Sequence, residues 1–209
     1  MLGDGALTFR EFAVREPHPL AEIQEAVLEV LRGRTDIALF GAQAVNAYVD
    51  EPRMTQDVDI LSPRAAELAQ ELRDYLSARF HIAVRVRELS AAAGYRLYQV
   101  RKPKNRHLVD IRPVSTLPPT QQVAGVRVVA PAELIASKVI AFQRRRGRPK
   151  SGTDWRDLAM LLLAFPELKS EAGPVRDRLD AAGADATVLE AWSRLVAEEI
   201  LPEDEDADS

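Results

Sequence analysis

Hydrophobic and polar positions recur with two different periods along the chain, so the pattern predicts both helices and strands. A helix over 19–32 is indicated by apolar residues spaced three and four apart. Short runs rich in β-branched residues predict strands at 36–40, 57–61, 81–89, 95–102, 107–114 and 123–129. Further helices are predicted at 41–49, 62–80, 131–146, 153–164, 172–182 and 185–200. Ser62 and Pro63 are the expected N-cap and first-turn proline of the 62–80 helix.

This order of elements predicts an α+β fold, with a mixed sheet flanked by helices and then a helical C-terminal region. We expect a core at residues 1–130, which includes the N-terminal helix, and a helical region packed on it at 131–200. An acidic disordered tail is predicted at 201–209. The stretch 144–152, rich in Arg, Gly and Pro, is the best boundary candidate, although we do not expect a floppy linker there.

Composition narrows the class of protein further. The 209 residues are 46% hydrophobic and 29% charged, which is ordinary for a globular protein. The absence of cysteine excludes disulfides and thiolate metal sites and is typical of a reducing compartment. The N-terminus lacks the layout of a signal peptide, and the apolar run 158–165 is too short to cross a bilayer. These features predict a cytoplasmic protein without a membrane partner.

The candidate chemistry lies in carboxylates that interrupt apolar strands. Asp57 and Asp59 alternate with Val58 and Ile60, so both carboxylates fall on one face of a strand. Like charges this close repel each other, and divalent cations offset that cost; Mg²⁺ sites use one or two carboxylates together with substrate phosphates. Asp110 sits in a similarly apolar strand and supplies the third carboxylate if the two strands are neighbours. A two-ion phosphoryl transfer uses such a set.

A phosphate contact is predicted at Gly41-Ala42, where a strand turns into a helix. Glycine allows backbone N–H groups to approach an anion, and the N-terminus of a helix favours one.

Together these residues resemble a known family. Gly41-Ala42, then Arg53-x-Thr55-x-Asp57-x-Asp59 and a later strand aspartate, is similar to the nucleotidyltransferases of the DNA polymerase β type. The likeness is greatest to the AbiEii-type toxin branch and spans roughly 37–165. The segment 131–162 matches the later part of that pattern through Lys138, Arg144, Asp154 and Asp157. One departure is Ala42, where many members have a second glycine or a serine.

The resemblance implies a nucleotidyltransferase-like fold and a metal-dependent enzyme. It would transfer a nucleoside monophosphate from a nucleoside triphosphate (NTP) to a hydroxyl of RNA, tRNA in particular, or of a protein. The expected biological role is the toxin of a toxin–antitoxin system, with the antitoxin as a partner protein.

The resemblance also assigns roles to individual residues. Two Mg²⁺ ions would be held by Asp57, Asp59 and Asp110, and Asp110 would either ligate the catalytic ion or accept the acceptor proton. The nucleotide-binding residues would be Gly41, Ala42, Arg53, Thr55 and Lys138, with Gly41 and Ala42 at the β- and γ-phosphates. Additional candidates are Arg144, Asp154 and Asp157.

Other interpretations compete with these assignments. The chain is alternatively a non-catalytic module of the same fold that binds a nucleotide or a partner, or an antibiotic-modifying nucleotidyltransferase. Lys138 alternatively extends to water from an apolar helix face. Asp154 and Asp157 would be favoured by the helix dipole if their helix begins near Thr153. The basic residues between 96 and 112 predict either RNA binding or a solvated hairpin.

Overall fold

A computed structural model describes residues 19–90 and 94–202. Most of the predicted acidic tail, residues 203–209, lies outside the described residues. The helices are α1 (Leu20–Leu31), α2 (Gly41–Asn46), α3 (Ala65–Phe80), α4 (Pro131–Arg144), α5 (Lys150–Ala164), α6 (Pro174–Ala181) and α7 (Ala186–Ala197), with a 3₁₀ turn at Pro166–Leu168. The strands are β1 (Ala38–Phe40), β2 (Val58–Ser62), β3 (Val84–Leu89), β4 (Gly94–Gln99), β5 (Arg106–Pro113), β6 (Thr120–Val123) and β7 (Val126–Val129).

The described strands form one mixed sheet in the order β3-β4-β5-β2-β1-β7-β6. The pairs β2–β5 and β1–β7 are parallel, and the other neighbours are antiparallel. Two strands far apart in sequence, β2 and β5, are therefore direct neighbours at the centre of the sheet. The predicted mixed sheet with flanking helices and a helical C-terminal region is confirmed.

One face of the sheet carries the core. Val58 and Ile60 of β2 and Val109 and Ile111 of β5 are fully buried, and α1 and α3 contribute buried apolar residues to the same hydrophobic cluster. Because side chains alternate along a strand, the residues between these apolar positions lie on the other face. Asp59 and Asp110 are such residues, so core packing orients both carboxylates away from α1 and α3.

The C-terminal helices pack on one another and on the short helix α2. Helix α4 contacts α5, α6 and α7, and both α4 and α5 contact α2. Their shared interior includes Leu134, Val139, Leu158, Leu161 and Trp192, each almost completely buried. Among the helices of the described ranges, none is long and apolar enough to cross a membrane.

Three details differ from the sequence-based predictions. Ser62 is not a helix cap: it ends β2, and its hydroxyl donates to the carbonyl of Asp36 (2.8 Å) while accepting from the backbone N–H of Arg64 (3.0 Å). The run 123–129 is not one strand: it contains the last residue of β6, a turn at Ala124 and Gly125, and then β7. Both turn residues have positive φ.

The third difference concerns α5, which begins at Lys150 rather than near Thr153. The unpaired N–H groups of a helix are in its first turn. Asp154 and Asp157 therefore lie beyond those groups. Both side chains are buried. The helix dipole does not explain these two acids, and their contacts with cations, described below, do.

Candidate functional site

A row of side chains crosses four strands on the face opposite the core. Arg96 of β4 pairs with Asp110 of β5, Asp110 with Asp59 of β2, and Asp59 with Phe40 of β1. The parallel pairing of β2 and β5 thus places the Asp59 and Asp110 backbones side by side. Asp57 immediately precedes β2, two residues from Asp59 on the same side, and completes a group of three carboxylates.

His107 joins two of these carboxylates and was not predicted as a site residue. Its Nδ1 lies 3.1 Å from Oδ2 of Asp57, and its Nε2 lies 2.8 Å from Oδ1 of Asp110. A doubly protonated imidazole ring donates to both carboxylates, whereas a neutral ring has only one N–H. In the described residues, Asp57, His107 and Asp110 form a group whose ligand atoms all lie within 4.8 Å of one another.

A β-bulge explains why His107 reaches this face. Residues three apart on a regular strand point to opposite faces, so His107 should lie on the core side when Asp110 does not. However, Leu97 pairs with Val109 while the next residue, Tyr98, pairs with His107, which leaves Leu108 as an extra residue in β5. The extra residue reverses the alternation. His107 and Asp110 therefore share one face.

Asp110 is held as an ionised carboxylate. The Arg96 guanidinium donates two hydrogen bonds to it, both 2.8 Å long. Burial acts to raise the pKa of Asp110, but the hydrogen bonds and positive charges of Arg96 and His107 outweigh it and hold that pKa well below its usual range. A carboxylate with so low a pKa is a good ligand for a cation and a poor proton acceptor.

Asp59 has the opposite environment. Burial, and secondly the negative charge of Asp57, raise the pKa of Asp59 to about 6, while the charge of Arg112 opposes that rise. No hydrogen bond or ion pair from another described side chain is made to the Asp59 carboxylate. A half-buried carboxylate beside a second acid is stabilised by a bound cation.

The backbone of Gly41 lies against the Asp59 carboxylate. Gly41 begins α2 directly after β1, with φ of +72°, and a Cβ added there would lie 2.2 Å from Oδ2 of Asp59. Only glycine allows both this backbone conformation and this contact. Ala42 follows in the first turn of α2, so the predicted Gly41-Ala42 turn lies beside the carboxylates.

The loop before β2 is fixed by side chains from two helices. The amide of Asn46 donates to the carbonyl of Arg53 (2.8 Å) and accepts from its N–H (3.1 Å). Gln24 donates to the carbonyl of Thr55 (3.0 Å), and the Thr55 hydroxyl donates to the carbonyl of Asp57 (3.1 Å). The Thr55 hydroxyl thus holds the loop just before the first carboxylate.

Most of the remaining predicted residues lie in a second charged cluster. Asp157 is fully buried and accepts from Arg53 (2.6 and 2.9 Å) and from Lys138 (2.5 Å). Asp154 binds Arg145 (2.8 Å), and Lys138 lies 3.8 Å from it. Lys138 therefore does not extend to water: its side chain is only 11% exposed. The cluster contains three cations and two carboxylates.

Arg144 lies elsewhere. It is exposed at the C-terminal end of α4, and its charge contributes to the lowered pKa of Asp185, which is due first to the hydrogen bond from Thr187. Throughout residues 19–90 and 94–202, no hydrogen bond or ion pair joins Arg144 to Asp57, Asp59 or Asp110.

The donor set fits a divalent cation. Asp57, Asp59 and Asp110 supply the carboxylate oxygens that Mg²⁺ prefers. Burial and the charge of Asp57 raise the pKa of Asp59, and a bound cation would favour its ionised form. His107 supplies a nitrogen, which suits transition metals better than Mg²⁺, so we assign it as a partner of the carboxylates rather than as a Mg²⁺ ligand.

Solved structures share this fold. The polyadenylate synthase of Megavirus aligns with 79% of this chain and 39% of its own, at a TM-score of 0.59 and 14% identity. JHP933 from Helicobacter pylori aligns over 92% of this chain and 91% of its own, with TM-score 0.52 and 13% identity. A putative nucleotidyltransferase from H. pylori aligns over 91% of this chain and 93% of its own, with a TM-score of 0.51 and 13% identity. This chain spans well under half of the Megavirus enzyme.

A match to a protein family gives the class of this chain, the nucleotidyltransferases. Residues 26–207 match the family described as "Nucleotidyl transferase AbiEii toxin, Type IV TA system". The chain therefore belongs to this family, and the resemblance drawn from the motifs is confirmed. No protein with a curated description matches the sequence.

Proposed function

We propose that this nucleotidyltransferase moves a nucleoside monophosphate from an NTP to a hydroxyl acceptor, with release of pyrophosphate, and depends on two Mg²⁺ ions for it. The observation that carries the proposal is the register of β2 and β5, which aligns Asp59 with Asp110 beside Asp57. When bound, the ions would be held by Asp57, Asp59 and Asp110 and would supply charge neutralisation at the phosphoryl oxygens.

The chain's own residues then have distinct roles. Asp110 acts as a metal ligand rather than as the proton acceptor, because Arg96 and His107 hold its pKa well below the usual range and so make it a weak base. The Asp59 carboxylate occupies the space that a side chain at position 41 would fill, so glycine there leaves room for it. The proton acceptor for the acceptor hydroxyl is left to the solvent or the substrate.

The nucleotide would be bound by Gly41, Ala42, Arg53, Thr55 and Lys138. The backbone of Gly41 and Ala42 lies beside the carboxylates that would meet the transferred phosphate. Arg53 and Lys138 are held on the single carboxylate of Asp157 and share one excess positive charge with the rest of that cluster. A fixed positive charge attracts a triphosphate without the entropy cost of ordering a free side chain.

An RNA acceptor is supported by the basic residues that continue the row of the site. Arg87 of β3 pairs with Arg96, so two arginines extend from Asp110 to the edge strand of the sheet. Arg87 is exposed. Cations along one face bind a phosphate backbone. An aminoglycoside is itself cationic and would be repelled there. The toxin role and its antitoxin partner are proposed from the family description.

The test is to incubate the protein with each labelled NTP and either total tRNA or total protein, with Mg²⁺ or with EDTA. We expect label on RNA in Mg²⁺ and none in EDTA. Asp57→Asn should lower the rate at least about 100-fold, because charge compensation for the ions is lost.

Asp74→Asn is the matched control, since Asp74 is exposed on α3, on the other side of the sheet. Unchanged activity of Asp57→Asn, or full activity in EDTA, would contradict the metal mechanism. Label on protein or on an added aminoglycoside, with none on RNA, would contradict the RNA acceptor.

A further inference from the structure

Most cations around the carboxylates are already paired with acids. Arg96 binds Asp110, while Arg53 and Lys138 bind Asp157. Arg112 differs, because it forms no ion pair with any acid in the part of the chain that the structure describes. It follows Asp110 by two residues in β5, so it shares the face of the site, and it is exposed.

Arg112 is held in place by an aromatic ring. Its guanidinium carbon lies 4.7 Å from the centre of the Phe40 ring. Phe40 pairs with Asp59 and is followed directly by Gly41. Because β2 lies between β5 and β1, the side chains of Arg112 and Phe40 meet above β2. This brings its charge to the Phe40–Asp59 pair.

We infer that Arg112, stacked on Phe40, binds a phosphate group of the nucleotide substrate. A guanidinium that rests its face on an aromatic ring keeps its N–H edge free, and that planar edge matches the oxygens of a phosphate. The stacking also limits the rotamers of a long side chain, which reduces the entropy lost on binding. This inference rests on the proposed function, because it assigns a residue to the same nucleotide.

A simpler role would be to offset the negative charge of Asp59. A lysine at position 112 would serve that role, because it carries the same charge. Lysine lacks the planar fork, so it would serve a phosphate contact poorly. The conservative substitution Arg112→Lys therefore separates the two roles.

The experiment is a calorimetric titration of Mg²⁺·NTP, with the NTP that the wild-type protein binds most tightly. Arg112→Lys should weaken binding about 10-fold, the loss expected for a charge-assisted hydrogen bond. Phe40→Leu should weaken it about 3-fold, because the stacking is lost, while Phe40→Tyr keeps the ring and should bind like wild type. Arg73→Lys on α3 makes the same exchange outside the site and should change nothing.

Two further measurements complete the test. The double variant Arg112→Lys with Phe40→Leu should bind no more weakly than Arg112→Lys, since both changes remove one contact. Thermal unfolding of each variant shows whether it is folded. The corresponding nucleoside, which has no phosphate, should bind wild type and Arg112→Lys equally.

Several results would overturn the inference. Equal NTP affinity of Arg112→Lys and wild type would show that charge alone matters. If Arg112→Lys lost as much affinity for the nucleoside as for the NTP, Arg112 would not contact the phosphates. A variant that binds NTP normally but needs more RNA for turnover would assign Arg112 to the acceptor. If the wild-type protein binds no NTP, the proposed function fails and this inference fails with it.

Discussion

Replacement of Gly41 by alanine tests the close contact between the strand–helix turn and Asp59. The added Cβ would lie 2.2 Å from Oδ2 and 2.8 Å from Cγ of Asp59. Ordinary contacts of this kind begin near 3.4 Å, so the carboxylate would have to move by roughly 1 Å, and a shift of that size in a reacting geometry costs about 100-fold in rate. We therefore expect Gly41→Ala to transfer nucleotide at about one hundredth of the wild-type rate.

The same substitution also strains the backbone. Gly41 has φ of +72°, and a left-handed residue with a Cβ costs about 1–2 kcal/mol. For a chain of this size the expected fall in melting temperature is about 2–8 °C. Gly33→Ala separates strain from contact, because Gly33 has φ of +73° and its added Cβ meets nothing within 4 Å.

The assay measures transfer from labelled NTP and thermal unfolding for wild type, Gly41→Ala and Gly33→Ala. Both variants should lose similar stability, and only Gly41→Ala should lose activity. If Gly41→Ala keeps activity within a few-fold of Gly33→Ala, Asp59 tolerates displacement and does not act at a fixed position.

Three further predictions follow from the charges of the site. Burial raises the pKa of Asp59 in the folded protein from 3.8 to about 6, so wild-type stability falls as the pH rises between these values. In EDTA, Asp59→Asn should therefore raise the melting temperature at neutral pH and raise it less near pH 4. An equal difference at both pH values would contradict this. Asp157→Asn should lower the free energy of unfolding, measured with denaturant, by about 3–5 kcal/mol, because it breaks a buried ion cluster. Asp180→Asn, in an exposed ion pair, should lower it by less than about 0.5 kcal/mol. Similar losses in the two variants would refute the reasoning. Asp110→Asn should still bind Mg²⁺·NTP in calorimetry but lose turnover, and retained turnover would remove Asp110 from the mechanism.

Local periodicity predicted much of the fold correctly. The spacing of apolar residues over a dozen or fewer positions was enough to predict helix α1 and the strand that carries Asp59, because each element buries one face. Where local signals competed, the prediction failed. Ser62 is a good helix cap in isolation, but its hydroxyl is used between the end of β2 and Asp36.

The candidate site divides in the same way. The sequence by itself indicated Asp57, Asp59 and the Gly41 turn, because their residue types and spacing form the family pattern. The place of Asp110 beside them depended on the pairing of β2 with β5, which only the structure shows. His107 could not be predicted, since its face depends on the bulge at Leu108, and a bulge is visible only when two strands are paired.

Only the tertiary structure decided which charges meet. Arg53 and Asp157 are 104 residues apart in the chain, yet they form a bidentate pair because α5 packs beside the loop before β2. Arg112 reaches Phe40 across β2 because the strand order places β5, β2 and β1 side by side. The strength and partner of a charged contact depend on distance and burial. Both are set by packing between elements, which no spacing along the chain encodes.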